Sequence, residues 1–292
     1  MSATSDNQSG QDKGKLQKEQ RENARAMLKV LTGKEHVHFT RRGNRAILIA
    51  LRVIKQLEKS NILYQGEGGW LTYEPSIEKA ELTPIKLVTN DGLIQPEELS
   101  IHDHDSALLI NSMAGYAALH DMEHINSLCL ANNQYLINDV SGSIGSEQAK
   151  HGDIILGSFG KSKPVDLETG GFIATSDEDI ERLIRKEADE EPEINYAILA
   201  RKLKDLDKRR QYLLSVAKQV KEDLSGHKII HPDHEGLNVI VKFSDEDEKN
   251  TLIDYCKKKG LEYTECPREI RILDDAVSIE IKRLKGVGET EK

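Results

Sequence analysis

The sequence lacks the features of several protein classes. No apolar run approaches the roughly 20 residues that cross a bilayer, and the polar N-terminus has no apolar signal core, so we expect a cytoplasmic protein. The formal net charge of −9 argues against the basic face that contacts nucleic acid. Cys129, Cys256 and Cys266 show no metal-type pairing and leave one odd, as expected in a reducing compartment. His102 and His104 lack further ligands of matching spacing, so we predict no metal site.

The chain nevertheless has enough apolar residues for a sizeable core. Of its 292 residues, 37% are hydrophobic and 31% are charged, which allows one large core and a smaller second one. Residues 1–20 contain almost nothing to bury, so we expect a disordered tail there. We predict a large domain over residues 21–196, followed by a long helix and a small C-terminal domain over residues 197–292. Gly33 ends the first helix of the large domain, and a short linker follows it. After residue 196 the pattern predicts a long helix at residues 197–224, a helix at residues 246–259, and strands at residues 237–243, 271–273 and 277–281.

Short apolar strands alternate with helices in the first half of the chain. The pattern predicts strands at residues 62–64, 85–88, 107–110 and 135–138, with a helix at residues 122–131. Such alternation implies a mostly parallel sheet that is covered by helices on both faces. Open α/β sheets bind ligands at the carboxyl ends of their strands, so polar residues at those ends are the candidates for function.

The stretch most suggestive of chemistry is Gly152–Thr175. Two β-type runs, at residues 154–156 and 172–175, enclose a polar loop with two serines, two lysines and the pair Gly170-Gly171. A hydroxyl, backbone amides and an amine therefore lie close to the carboxyl end of a predicted strand. Taken alone, the lysines also fit a solvated loop, and the glycines also fit turns that need a positive φ.

Two single residues have two interpretations each. Asp139 ends the strand at residues 135–138, where a carboxylate serves as a helix cap more often than in catalysis. Trp70 is the only tryptophan and follows a glycine-rich turn, so it is either a packing anchor or a cover for a flat ligand.

A helix N-terminus is the candidate anion site. Apolar residues from Ala46 to Leu57 recur at helical spacing, and Gly43-Asn44 precede them as turn and N-cap. The unpaired amides and the positive dipole of a helix N-terminus suit a phosphate group. The alternative is that Asn44 only caps the helix.

The spacing within Gly152–Thr175 resembles the signature of the DegT/StrS family of pyridoxal-phosphate (PLP) sugar aminotransferases. Members carry Ser-Phe, three variable residues, the Schiff-base lysine, a Gly-Gly pair seven and eight residues on, and a strand that ends in Thr. The matching residues are Ser158, Phe159, Lys163, Gly170, Gly171 and Thr175. Residues 114–116 and 121–125 are similar to the glycine loop and the Asp-Met-x-x-Ile helix of the family. Lys161 lies two residues too early, so Lys163 is the predicted Schiff-base lysine.

The resemblance implies a role for each candidate residue. Lys163 would hold the cofactor, and Asp139 would pair with the pyridinium nitrogen so that the ring acts as an electron sink. Trp70 would cover the face of the ring. The phosphate would be held by Ser158 together with the backbone of Asn44 and Arg45.

The resemblance also implies a fold and a reaction. The fold is PLP-dependent transferase fold type I, an α/β fold with a mostly parallel central sheet flanked by helices and a small α+β C-terminal domain. The expected protein is a homodimer that transfers an amino group from a small-molecule donor to a keto acceptor, a keto-sugar or a nucleotide-sugar. A lysine rather than a histidine at position 163 favours transamination over dehydration.

The sequence departs from the family at two places in the site. Gly142 stands where members usually have Gln or His beside the phenolic oxygen of the cofactor, and Asn44 stands where a threonine hydroxyl is expected. These departures keep two alternatives open: a non-catalytic relative that retains the fold for binding or assembly, and another PLP reaction such as that of a lyase.

Overall fold

The protein is described by a computed structural model that covers residues 3–102, 104–188 and 192–285. Its α-helices are α1 (Ala3–Thr32), α2 (Gly43–Gln56), α3 (Tyr73–Lys79), α4 (Met122–Ala131), α5 (Glu178–Glu187), α6 (Tyr196–Lys204), α7 (Leu206–Asp223) and α8 (Glu246–Lys259). Its strands are β1 (His36–Thr40), β2 (Asn61–Gln65), β3 (Thr83–Leu87), β4 (Thr89–Asn90), β5 (Leu93–Ile94), β6 (Ser106–Asn111), β7 (Met113–Ala114), β8 (Ala118–Leu119), β9 (Tyr135–Asp139), β10 (Ile154–Ser158), β11 (Gly171–Thr175), β12 (Lys228–Ile229), β13 (Val239–Lys242), β14 (Tyr263–Cys266) and β15 (Ala276–Ile279).

The larger sheet has the strand order β1-β11-β10-β9-β6-β2-β3. The pairs from β10 to β3 are all parallel, whereas β11 runs antiparallel to both β1 and β10. Buried apolar runs such as Ile154–Leu156 favour strands of this kind, because both faces of the sheet are covered. The predicted mostly parallel α/β sheet is confirmed.

Helices cover both faces of this sheet. On one face, α2, α3 and α5 pack over a core that includes Ile49, Leu109 and Ile173. On the other face, α1 and α6 pack around Phe172, and α4 packs around Leu108. Over the described residues, no helix combines the length and apolar character that crossing a bilayer requires.

Polar residues define where several helices begin and end. The side chains of Asp121, Asp177, Asn195 and Asp245 accept backbone amides in the first turns of α4, α5, α6 and α8. Gly260 ends α8 with φ +64°, a left-handed conformation that glycine adopts without steric cost. These caps explain why the sequence pattern locates α4 and α8 correctly.

A second sheet belongs to the C-terminal domain, by which we mean residues 206–285. Its antiparallel order is β12-β13-β15-β14, and α7 and α8 cover one face through a core that includes Leu213, Leu252 and Val277. Met113 and Tyr116 from the large sheet's side also belong to this core. The loop that follows β6 is therefore packed into the C-terminal domain.

The structure differs from the sequence prediction in the first 40 residues. Helix α1 begins at Ala3, so residues 3–20 are helical rather than disordered, and Met1 and Ser2 lie outside the described residues. The Lys, Gln, Glu and Ala residues in this segment are good helix formers. The segment after Gly33, expected to be a linker, forms β1 at the edge of the sheet.

The long helix predicted for residues 197–224 is two helices that meet at Asp205. Helix α6 packs on α1 over the large sheet, whereas α7 packs on the small sheet. The change of core therefore lies at Asp205 rather than at residue 196. A strand was also expected at residues 271–273, but the edge of the small sheet is β14, at Tyr263–Cys266.

A buried ion pair stabilises the C-terminal domain. Arg271 donates to both carboxylate oxygens of Glu280, from Nε at 2.8 Å and from a terminal nitrogen at 2.7 Å. Both side chains are almost fully buried. Burial alone would raise the pKa of Glu280, but the hydrogen bonds and charge of Arg271, with Lys282 and Arg283, lower it to about 2.

We predict that Glu280→Gln destabilises the protein by about 3–5 kcal/mol, because the guanidinium of Arg271 then stays buried without a counter-charge. Urea unfolding at neutral pH measures this free energy, and Asp254→Asn at an exposed ion pair is the control, with an expected change of about 0–1 kcal/mol. The stabilisation by Glu280 is fully present above its ordinary pKa of 4.5 and is lost as pH falls towards 2. Equal losses in the two variants would contradict the prediction.

Candidate active site

The carboxyl ends of neighbouring parallel strands meet at one edge of the large sheet. Asp139 ends β9, Ser158 ends β10 and Asn111 ends β6. In register, Asp139 lies opposite Leu156 on one side and opposite Asn111 on the other. The backbone amide of Ser158 donates to the hydroxyl of Ser141 at 3.0 Å, and this bond ties the ends of β9 and β10 together.

A cleft opens at this edge and encloses about 350 Å³, including space open to solvent. Its lining residues are Gly43, Asn44, Ile47, Trp70, Asn111, Tyr116, Asp139, Ser141, Leu156, Ser158 and Lys163. The structure thus brings together all the predicted site residues except Arg45. In the part of the chain that is described, no group of three or more His, Cys, Asp or Glu side chains could hold a metal ion.

Lys163 lies in the cleft between two aromatic rings. Its Nζ is 4.7 Å from the centroid of the Trp70 ring and 4.9 Å from that of the Tyr116 ring, and it donates a hydrogen bond to the Tyr116 hydroxyl. Only 9% of the residue is exposed. Asp166 shapes the loop on both sides of Lys163, because its carboxylate accepts the amides of Ser162 and Glu168. The amine is therefore held in a defined place, unlike the exposed Lys161.

Asp139 is buried, and each of its oxygens accepts one hydrogen bond. The Tyr73 hydroxyl donates to Oδ2 at 2.8 Å and the amide of Ser141 donates to Oδ1 at 3.0 Å. Burial and the adjacent Asp139 carboxylate raise the pKa of Tyr73, so this hydroxyl keeps its proton and acts as the donor. Among the described residues no helix begins at this strand end, so the Asp139 carboxylate stabilises a turn and does not cap a helix.

The N-terminus of α2 lies against the end of β10. The helix begins at Gly43 with Arg42 as the N-cap, two residues before the N-cap that the sequence pattern predicts at Asn44. A Cβ at Gly43 would lie 2.6 Å from the Cβ of Ser158, so glycine is what permits the helix to approach the strand. Asn44 does not cap the helix: its Oδ1 accepts a hydrogen bond from Trp70 Nε1 at 2.9 Å, which fixes the indole ring.

Arg45 does not reach the cleft. Its backbone amide donates to the carbonyl of Arg42 at 3.0 Å within the first turn. Its side chain donates to the carbonyl of Glu187 at 2.7 Å. The predicted contribution of the Arg45 backbone to phosphate binding is not supported by this geometry, and Gly43 lines the cleft in its place.

Sequence reasoning missed four polar residues of the site: Asn111, Ser141, Tyr73 and Tyr116. Asn111 and Ser141 stand at or just after the ends of strands, so the rule that points to Asp139 applied to them as well. Tyr73 and Tyr116 reach the site from a helix and a loop, and only the tertiary structure places their hydroxyls there.

Two cations of the C-terminal domain lie beside the Tyr116 ring. Lys282 Nζ is 4.6 Å and the Arg271 guanidinium 5.5 Å from its centroid. Burial, then the charge of Arg271, lowers the pKa of Lys282 to about 7, and Lys163 adds to this effect. Lys282 is thus a second buried lysine beside the site.

Comparison with known proteins agrees with this geometry. A family model described as the DegT/DnrJ/EryC1/StrS aminotransferase family matches residues 10–188, and one described as the MJ1341 family C-terminal domain matches residues 207–288. No curated protein sequence matches the chain significantly.

Solved structures share the fold at low sequence identity. A DegT/DnrJ/EryC1/StrS aminotransferase from Brucella abortus is 14% identical with a TM-score of 0.71, covering 89% of this chain and 84% of its own. NtdA from Bacillus subtilis, with the cofactor PMP bound, is 16% identical with a TM-score of 0.67, over 88% and 72%. DesI, in the presence of its TDP-sugar product, is 14% identical with a TM-score of 0.67, over 89% and 79%.

These matches confirm the predicted resemblance, the fold class and the PLP cofactor. The first family model spans more than half of the chain and includes every predicted site residue from Asn44 to Lys163. The chain therefore belongs to the DegT/DnrJ/EryC1/StrS aminotransferase family of PLP-dependent enzymes.

Proposed function

We propose that the enzyme transfers an amino group from a small-molecule donor to a keto-sugar or a nucleotide-sugar, with Lys163 as the PLP-binding lysine. The observation that carries this proposal is the Lys163 amine, buried between the rings of Trp70 and Tyr116 in the cleft that Asp139 also lines. DesI, which shares the fold, is known with a TDP-sugar product, and this supports a sugar acceptor.

The residues present fit the cofactor. The cleft offers an amine at Lys163, a carboxylate at Asp139 and an indole ring at Trp70. The contact between Gly43 and Ser158, too close for a Cβ, joins the N-terminus of α2 to a strand-end hydroxyl. Amides at a helix N-terminus together with a hydroxyl are suited to a phosphate group.

PLP supplies an aldehyde that reacts with amines and a ring that accepts electrons from a carbon being deprotonated. Lys163 Nζ would be the nucleophile towards the aldehyde and, when released, the base that moves a proton on the substrate. Asp139 would accept a hydrogen bond from the protonated ring nitrogen, since each of its oxygens can accept another bond besides the one from its present donor. Trp70, fixed by Asn44, covers one side and excludes water.

A second candidate function is binding or assembly without catalysis, and a third is a different PLP reaction such as that of a lyase. The observation that favours a non-catalytic relative is Gly142, where most members have Gln or His. The next experiment separates this candidate from the enzyme.

We expect PLP to attach to Lys163, because its amine lies inside the cleft. Borohydride reduction followed by peptide mapping should find the label on Lys163, and Lys163→Ala should abolish it. Lys161→Ala is the matched control and should keep the label, since that side chain is exposed. A label on Lys282 would contradict the assignment, and the absence of any label from the PLP-supplied protein would favour the non-catalytic function.

We predict that Asp139→Asn still folds and binds PLP but loses about 10- to 100-fold of its half-reaction rate with an amino donor. The charge-assisted bond that Asn cannot make is worth about 1.5–3 kcal/mol, and each 1.36 kcal/mol is tenfold in rate. Asp121→Asn, at the N-cap of α4, is the control, because Asn caps about as well as Asp. Single-turnover conversion of the cofactor to its amino form measures the rate, and an unchanged rate would remove Asp139 from the mechanism.

The protein is also proposed to be a cytoplasmic homodimer. Its three cysteines are free and buried, which suits a reducing compartment. Three exposed apolar side chains, those of Leu71, Val88 and Leu273, lie near the cleft. Leu71 follows Trp70 in the chain. Val88 and Leu273 lie near each other, because Thr89, the residue after Val88, and the amide of Leu273 both donate to Glu67. A partner subunit would bury such a patch.

We expect sedimentation at micromolar concentration to give twice the chain mass of 32.8 kDa. Val88→Glu should shift the population towards monomer, because a charge is costly to bury in an apolar interface. Leu130→Glu, at an equally exposed apolar position on α4, should leave the dimer intact. A monomeric parent protein that carries PLP would contradict the proposal.

A further inference from the structure

We propose that Tyr116 is a catalytic residue whose hydroxyl hydrogen-bonds the reacting nitrogen of Lys163 and takes the place that Gly142 leaves open. This inference rests on the proposed function of Lys163. It adds a residue from the loop after β6, whereas family members usually have Gln or His in the turn after β9, where this chain has Gly142.

The contact with the amine is direct. Lys163 Nζ donates to the Tyr116 hydroxyl, and Tyr116 is 3% exposed. A hydroxyl accepts from a charged ammonium and donates to a neutral amine, so this bond persists when Lys163 changes its protonation state. Because both residues are buried, the bond fixes the direction of the amine through both states.

The ring fills the volume of a side chain at position 142. A Cβ on Gly142 would lie 2.8 Å from Cε1 and 3.0 Å from Cδ1 of Tyr116, closer than real Cβ contacts. The backbone at Gly142 has a φ that other residues adopt. Space for the Tyr116 ring, rather than conformational freedom, is therefore what glycine provides at this position.

Several contacts together fix the conformation of Tyr116. Its φ is +66°, a left-handed conformation that is uncommon for a bulky residue and is found at functional sites. The amides of Leu237 and Asn238 both donate to its carbonyl at 2.8 Å. Lys282 and Arg271 lie near its ring, where cations are attracted to the aromatic face. The C-terminal domain therefore determines where the hydroxyl lies.

Tyr116→Phe removes the hydroxyl and keeps the ring. We expect this variant to fold like the parent, to bind PLP about tenfold more weakly and to change the pH dependence of the absorbance band of the bound cofactor. Tyr255→Phe, which removes a hydroxyl that contacts Asp223 at the surface, is the matched control and should leave both unchanged.

A second measurement needs no cofactor. Gly142→Gln should lower the unfolding temperature of the PLP-free protein, because its side chain meets the Tyr116 ring. Tyr116→Ala should lower the unfolding temperature less in the Gly142→Gln background than in the parent, since it removes the ring that the glutamine meets. The double variant should also bind PLP more tightly than Tyr116→Ala alone. Additive losses would overturn the claim that the ring takes this place.

The two proposals fail in different ways. If Tyr116→Phe matches the parent in PLP affinity and in the absorbance titration while Lys163 carries the label, Tyr116 only packs against the lysine. That result overturns the inference and leaves the proposed function standing. If the parent places no label on Lys163, the proposed function fails, and the catalytic role of Tyr116 fails with it.

Discussion

Parallel pairing of β9 with β10 is the constraint on which the site depends. The register sets Leu156 opposite Asp139, so both strands end at the same edge of the sheet. The hydrogen bond from the amide of Ser158 to Ser141 then fixes the two ends against each other. A shift of one residue would turn Asp139 to the other face of the sheet. Buried apolar runs on both strands make such a shift costly, so the core stabilises the geometry of the site.

The second constraint is the packing of the loop after β6 into the C-terminal domain. Gly236 lies so close to the backbone of Ala117 that a Cβ would be 2.2 Å from its carbonyl oxygen. Beside the Tyr116 ring, Glu280 pairs with the guanidinium of Arg271, whose charge would otherwise be buried without a partner. The C-terminal domain therefore helps to define the surroundings of Lys163 without lining the cleft itself.

Much of the site could be predicted because its residues follow a linear pattern. Ser158 and Lys163 share one strand and the loop after it, so their spacing along the chain fixes their separation. Asp139 could be predicted because strand ends are recognisable from apolar runs. Asn44 was also predicted at the site, but its side chain accepts a hydrogen bond from Trp70 and does not cap α2. The backbone amide of Arg45 was expected at the phosphate, but in this structure it donates to the carbonyl of Arg42 within the first turn.

The sequence by itself determined the alternation of strands and helices, the strand ends and the spacing of the lysine loop, because each depends on residues close in the chain. The tertiary structure decided what lies around the amine. Tyr73 comes from the helix after the glycine-rich turn, and Tyr116 from a loop held by a domain that begins 90 residues later at Leu206. Contacts between such distant segments depend on how whole elements pack, and no local pattern along the chain encodes them.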